Sequence, residues 1–368
     1  MSADDSIVFI VDDDPAMGEA LTRLLGTAGL RAQAFKSEGS SGRMIGLLDC
    51  TLEPLHEDGE VILYRAVHAS PGDGVVASVL IVGAAGEYVS PATLARLDHE
   101  YALAAELEAR WAVRPLGLAR YRGRPVLVLE DPGGEPLARL LGTPMEVGTF
   151  LRLAMSIARA VGSLHAAGVI HKNIKPANVL VNSATGDAWL TGFGIASRLR
   201  RERQSPEPPE IIAGTLAYMA PEQTGRMNRS IDSRSDLYAL GVTLYETLTG
   251  SLPFTASDPM ELVHSHIARR PVPPDARRKE IPSSISAIIM KLLAKTAEER
   301  YQTAAGVERD LRRCLTGWEG QRRIVEFPLG EHDTPDRLLI PEKLYGRARE
   351  VETLVASFDR IVKNGAPE

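Results

Sequence analysis

Between His171 and Glu222, three short polar and glycine-containing motifs follow one another among apolar segments, and their order constrains the chain more than any other feature. They read His171-Lys172-Asn173-Ile174-Lys175-Pro176-Ala177-Asn178, then Gly192-Phe193-Gly194, then Ala220-Pro221-Glu222. Ahead of them, Leu151, Ala154, Ile157, Ala158, Val161 and Leu164 recur at helical spacing, which predicts a helix from Phe150 to Ala166 with one buried face. Val179-Leu180-Val181 and Ala188-Trp189-Leu190 read as short paired strands. Residues 171–178 therefore form a loop delivered by a helix and followed by a hairpin. Such an arrangement needs a sizeable core, and 44% hydrophobic with 24% charged residues over 368 positions supplies one, with room for two or three domains.

Matched position by position, these motifs resemble the H-R-D-L-K-x-x-N, D-F-G and A-P-E motifs of eukaryotic-type protein kinases. Gly214-Thr215-Leu216-Ala217-Tyr218-Met219-Ala220-Pro221-Glu222 is close to the family's G-T-x-x-Y-M-A-P-E, and Arg300 sits where kinases place the arginine that pairs with the A-P-E glutamate. The resemblance implies an α+β, bilobal fold, with a β-rich small lobe over residues 52–131 and a helical large lobe over 132–318. It implies ATP as candidate ligand and assigns roles by position. Asn173 stands at the catalytic-base position, Lys175 beside the phosphates, Asn178 as a metal ligand, and Glu130 and Asp131 at the nucleotide-binding hinge. Glu222 would pair with Arg300, and Asp236 would cap backbone of the catalytic loop.

The departures are as informative as the matches. Asn173 replaces the aspartate that accepts the hydroxyl proton, and an amide cannot take it. Gly192 replaces the aspartate that holds Mg²⁺, leaving Asn178, a neutral amide and a poor ligand for that ion by itself. The expectation for Mg²⁺ is accordingly weak. The small lobe should read as strands at Glu60 to Arg65 and Val75 to Val82, a helix from Pro91 to Trp111, then strands Gly117 to Tyr121 and Pro125 to Glu130. Its G-x-G-x-x-G loop is missing, and Pro71-Gly72-Asp73-Gly74 reads as an ordinary turn. No lysine occurs between Lys36 and Lys172, so the lysine of the third strand is absent too. Glu100 would then lack its usual partner and is expected to be solvated or locally paired; Arg65 or Arg96 is a poor substitute for a point charge.

At the front, Ile7-Val8-Phe9-Ile10-Val11 ends in Asp12-Asp13-Asp14, and a helical stripe at Met17, Leu21, Leu24 and Leu25 leads to a strand through Phe35. Residues 1–36 resemble the first βαβ unit of a response-regulator receiver domain, with 37–51 as linker, although the strand carrying the phosphoacceptor aspartate is missing. At the back, residues 319–368 read as a connector, and Pro341 to Glu350 resembles the opening of a P-loop ATPase module whose phosphate-binding motif does not follow. With Pro221 to Arg229 and Lys291 to Lys295, this resembles the kinase-like module of large bacterial proteins that join it to an ATPase and a sensor histidine kinase. Those downstream modules, or another protein, are the implied partners.

Net charge of −6 without a basic run interleaved with aromatics argues against nucleic acid. Cys50 and Cys314 are too far apart in sequence for metal-ligand spacing. No signal peptide and no apolar run of 18 residues is evident, so no membrane partner and a cytoplasmic location are expected. Three functions follow in order: a pseudokinase regulatory module; a divergent active serine/threonine kinase, with Asp187 or Asp131 supplying a carboxylate; and a peptide-docking scaffold reading acidic partners through Arg198, Arg200, Arg201 and Arg203.

Overall fold

The computed structural model describes residues 7–11, 31–35, 45–46, 50–69, 76–86, 88–198, 215–227 and 229–334. All but Thr334 belong to one compact unit, Met1–Asp333. The receiver-like helix, the turn at 71–74, residues 200–213 of the activation segment and the ATPase-like stretch after 340 lie outside the described residues.

Three strands come first, β1 (Ile7–Val11), β2 (Arg31–Phe35) and β3 (Ile45–Gly46), in the order β2-β1-β3, with β1 and β2 parallel and β3 antiparallel to β1. The expected linker thus contains a strand of the front sheet. The small lobe is an antiparallel sheet of β4 (Thr51–Glu57), β5 (Val61–Ala69), β6 (Val76–Ala84), β7 (Pro115–Tyr121) and β8 (Arg124–Glu130), ordered β4-β5-β6-β8-β7. Helix α1 (Pro91–Ala102) crosses between β6 and β7. It is shorter than the predicted Pro91–Trp111, because the chain breaks into turns after Leu103. Ser90 sets its start, accepting from Thr93 N at 3.0 Å with Pro91 in the first turn.

A short strand β9 (Glu135–Pro136) leads into the large lobe, which is built on α2 (Val147–Ala166) and α3 (Ser233–Thr249). By length and composition α2 could cross a membrane, yet Phe150, Leu151, Ala154, Ile157, Ala158, Val161 and Leu164 are fully buried in the lobe's core. Strands β10 (Val179–Val181) and β11 (Ala188–Leu190) form the predicted hairpin, with β9 alongside β10. Helices α4 (Pro259–Ala268), α5 (Pro274–Arg277), α6 (Ser283–Leu292) and α7 (Ala304–Gln321) complete the lobe. The lobe runs past the expected boundary at 318. Ile324, Phe327 and Leu329 pack on its core, and the Asp333 carboxylate takes hydrogen bonds from Gln302 N and Thr303 N at the start of α7.

Candidate nucleotide site

The loop at 171–178 is fixed from behind by Asp236, near the N-terminus of α3. Its carboxylate accepts from His171 N at 2.9 Å, Lys172 N at 2.8 Å and His165 Nε2 at 2.9 Å. Asp236 is fully buried, and these three donors satisfy its carboxylate oxygens. His171, also buried, hydrogen-bonds Thr191 O through Nε2 at 3.0 Å and lies against Phe193, ring centroids 4.7 Å apart; burial holds its imidazole below the ordinary value. Lys172 takes the left-handed conformation, φ 65°, that turns the chain toward Asn173.

Below this loop Glu222 and Arg300 form the predicted pair, buried throughout. Arg300 Nη1 lies 2.6 Å and Nη2 2.8 Å from the two carboxylate oxygens, and Ser235 Oγ adds a bond of 2.7 Å. Burial pushes the Glu222 carboxyl up, but the Arg300 charge and hydrogen bonds outweigh it and hold it below the usual range.

Asn178 folds inward, its Nδ2 donating to Asn173 O at 2.8 Å. Gly192, φ 77°, lies so close that a Cβ there would come within 2.8 Å of the Asn178 carboxamide. The two positions that would share a metal ion are therefore packed on each other, with one side chain between them. Lys175 is buried and bridges three segments, with Nζ 3.0 Å from Asp58 Oδ2 and 2.8 Å from Thr215 Oγ1.

Asp58 belongs to a strand pair that sequence patterning did not resolve. The expected first strand is in fact the second; β4 precedes it, and the turn that faces the site is Asp58-Gly59-Glu60. Gly59 takes φ 85° and Asp58 Oδ1 accepts from Val61 N at 3.1 Å, closing the turn. A three-residue turn cannot wrap phosphates with successive backbone N–H groups as a G-x-G-x-x-G loop does. Burial raises the Asp58 carboxyl, but Lys175 and the turn's N–H groups bring it net below its ordinary value, so it is a carboxylate at neutral pH.

On the small-lobe side, Val79-Leu80-Ile81-Val82 aligns with the kinase V-A-I-K, which puts Val82 at the lysine position. Val82 and Glu100 line the same cavity, together with Leu63, Leu97, Asn173 and Gly192. Here the structure corrects the expectation for Glu100. It is neither solvated nor paired with a cation; it is 4% exposed and accepts from Gly192 N at 3.2 Å. Burial raises its pKa to about 7, against the opposing effect of hydrogen bonds from the Phe193 and Gly192 backbone. Helix α1 is tied further to the segment after Gly194 by His99, 2.7 Å from Ala196 O, and by Arg198, which donates to Ala102 O at 2.6 Å.

Other expected residues lie elsewhere. Asp131 is committed to Arg65 at 2.7 Å and Glu130 to Arg114 at 2.9 Å, and neither lines the cavity. Arg65 is consequently no stand-in for the lysine. Arg96 does line the cavity but pairs with Glu60, and Asp187 is exposed on the β10–β11 turn. Sequence reasoning missed Asp58; it named Thr215 in the Gly214–Glu222 motif and Val82 in the apolar third strand without giving either a contact in the site. The Asp-Gly dipeptide between two apolar-alternating runs was the available signal for Asp58.

The cavity holds about 100 Å³, whereas ligand sites range over roughly 300–1,000 Å³. Among the described residues no group of three or more His, Cys, Asp or Glu is placed to hold a metal ion.

Comparison with known proteins gives this geometry its family. Serine/threonine-protein kinase PknB of Mycobacterium tuberculosis is 36% identical over 195 residues, covering 52% of this chain and 31% of that protein. Pkn1 of Myxococcus xanthus, a serine/threonine-protein kinase, is 35% identical over 195 residues, 52% of this chain and 28% of its own length. Hybrid signal transduction histidine kinase G of Dictyostelium discoideum is 26% identical over 307 residues, 60% of this chain but 9% of that protein. The chain thus spans under a third of the length of these relatives. The family model for the protein kinase domain matches residues 62–311, more than half of the chain, and the chain belongs to that family.

Proposed function

We propose that this domain is a pseudokinase, a regulatory module of a signal-transduction protein that passes its conformational state to modules joined to it rather than transferring phosphate efficiently. One observation carries the reading. At three positions where phosphoryl transfer needs a charge, this chain has an uncharged group: Asn173 for the base, Gly192 for the metal ligand and Val82 for the lysine. The one cation retained, Lys175, is neutralised by Asp58. A missing general base alone costs about 10²- to 10⁴-fold, and groups that act as a unit fail as a unit. Residues that hold the fold, Glu222, Arg300, Asp236 and His171, are kept with full hydrogen bonding. The likeness to a short part of a hybrid histidine kinase supports a place within a longer signalling chain, with ATPase or histidine-kinase modules as partners.

The test is thermal melting of the chain with millimolar ATP, with and without Mg²⁺. Ligand at about 100 times its dissociation constant stabilises by about 2.7 kcal/mol, a shift of several degrees at this size. The expected result is a midpoint that does not depend on Mg²⁺. A rise of several degrees seen only with the metal would overturn the reading in favour of a divergent serine/threonine kinase. If ATP alone has no effect, the module is a scaffold without nucleotide.

A second expectation concerns the Asp58 clasp. Asp58→Asn leaves the buried Lys175 ammonium with Thr215 Oγ1 as its remaining, uncharged partner, at a cost of about 3 kcal/mol. With Asp58 uncharged, the ammonium is held by Thr215 Oγ1 beside the cavity that Asp58 lines, and inorganic triphosphate should bind at least several-fold more tightly than to the unaltered chain. Equal affinity, measured by calorimetry, would show that the clasp does not guard the site.

A further inference from the structure

The small-lobe sheet is apolar on both faces. Leu63, Leu80, Leu127 and Leu129 point to one side, where α1 adds Leu97 and Tyr101. Ala66, Ile81, Val126 and Val128 point to the other, where the cluster draws only on the strands themselves and Cys50. Antiparallel sheets with one covered face ordinarily turn polar residues to the other. A row of apolar side chains on an uncovered face stays accessible, yet Ile81 is 1% and Val128 3% exposed. A groove of about 530 Å³ crosses this second face, lined by Leu52, Tyr64, Ile81, Tyr121 and Val126, with Cys50 and Thr51 at its mouth.

We propose that residues 1–46, the βαβ-like front segment of the same chain, dock on this face. Connectivity is the first argument. Strand β3 ends at Gly46 and β4 begins at Thr51, and five residues span at most about 18 Å. The front sheet is therefore tethered beside the groove, which corresponds to a millimolar effective concentration. Need is the second. A three-stranded sheet of this size cannot bury its own apolar surface, and the sequence supplies Met17, Leu21, Leu24 and Leu25 at helical spacing as a face to bury. Charge is the third. Arg122 and Arg124 line the groove, while the segment carries Asp4, Asp5, Asp12, Asp13 and Asp14. Docked there, the front segment buries the second face of the small-lobe sheet.

The chain's two thiols make the test direct, because Cys50 sits at the groove and Cys314 is fully buried in the large lobe. In the full chain, labelling of Cys50 by a thiol reagent is expected to be slow. Leu21→Asp with Leu24→Asp should accelerate it at least tenfold while Cys314 stays slow, showing the large lobe intact. A protease site placed in residues 37–42 gives a measurement independent of those variants. After cleavage the front fragment should co-elute with the remainder, and Tyr64→Asp should release it. Unchanged Cys50 labelling in the double variant, or a fragment that separates at once on cleavage, overturns the proposal. Labelling that speeds up on dilution, with a dimer by light scattering, also overturns it and assigns the face to a second copy of the chain.

Discussion

Arg300→Ala will lower the stability of the large lobe by about 3–5 kcal/mol, the cost typical of leaving a buried carboxylate without its cation. The side chain is fully buried, and all five of its N–H donors are used. Two go to Glu222, one from Nε to Ala294 O at 2.8 Å, and one each from Nη1 and Nη2 to Arg234 O at 3.0 Å and Lys295 O at 3.1 Å. The guanidinium also lies over Tyr238, 4.9 Å from the ring centroid. Alanine removes these contacts and leaves Glu222, 3% exposed, with Ser235 Oγ as its remaining side-chain donor. The melting midpoint should fall by roughly 10 °C. Replacing both members, Arg300→Met with Glu222→Leu, should cost much less, because a well-packed apolar pair avoids the desolvation penalty. The pair is also pH-dependent: Glu222 has its folded pKa depressed, so its contribution is present above the unfolded value of 4.5 and is lost as pH falls below it. If the single variant melts with the unaltered chain, the pair does not pin the activation segment.

How far the sequence disclosed this molecule differs between its two lobes, for a physical reason. The large lobe is legible because its landmarks are buried polar groups with one geometric solution: Asp236 facing two backbone N–H groups, and Glu222 facing Arg300 across 78 positions. Such groups cannot drift, so matching letters meant matching structure. The small lobe is held by apolar strand packing that many sequences satisfy, and its polar positions had lost their usual letters. One strand, β4, escaped notice because Thr51-Leu52-Glu53-Pro54-Leu55 lies on an edge, mostly exposed, with a proline and a register shift after Pro54. Missing it displaced the site-facing turn by a whole hairpin and hid Asp58. Glu100 was misjudged for a different reason. Without a lysine to pair it was expected to be solvated or locally paired, but the backbone N–H of Gly192 and a raised pKa make its burial tolerable.

That raised pKa yields the second large effect. In the folded chain burial raises the Glu100 pKa to about 7, from an ordinary value of 4.5. Because the fold favours the protonated form, the site is unstrained below pH 4.5 and loses stability as pH rises toward 7, with no further loss above it. At 1.36 kcal/mol per pH unit the full penalty is on the order of 3 kcal/mol. Glu100→Gln keeps a carbonyl oxygen to accept from Gly192 N and removes the charge. The variant should therefore match the unaltered chain at pH 4.5 and melt several degrees higher at pH 8. Val82→Lys approaches the same carboxylate from the other side by returning an ammonium to the third strand. With the cation present the ionised form is favoured, so the fall in stability between pH 4.5 and 7 should disappear, and it should do so only while Glu100 is intact. Parallel melting curves for the unaltered chain and Glu100→Gln across this range would mean that water reaches the carboxylate, and the cavity would then be an open cleft rather than a closed one.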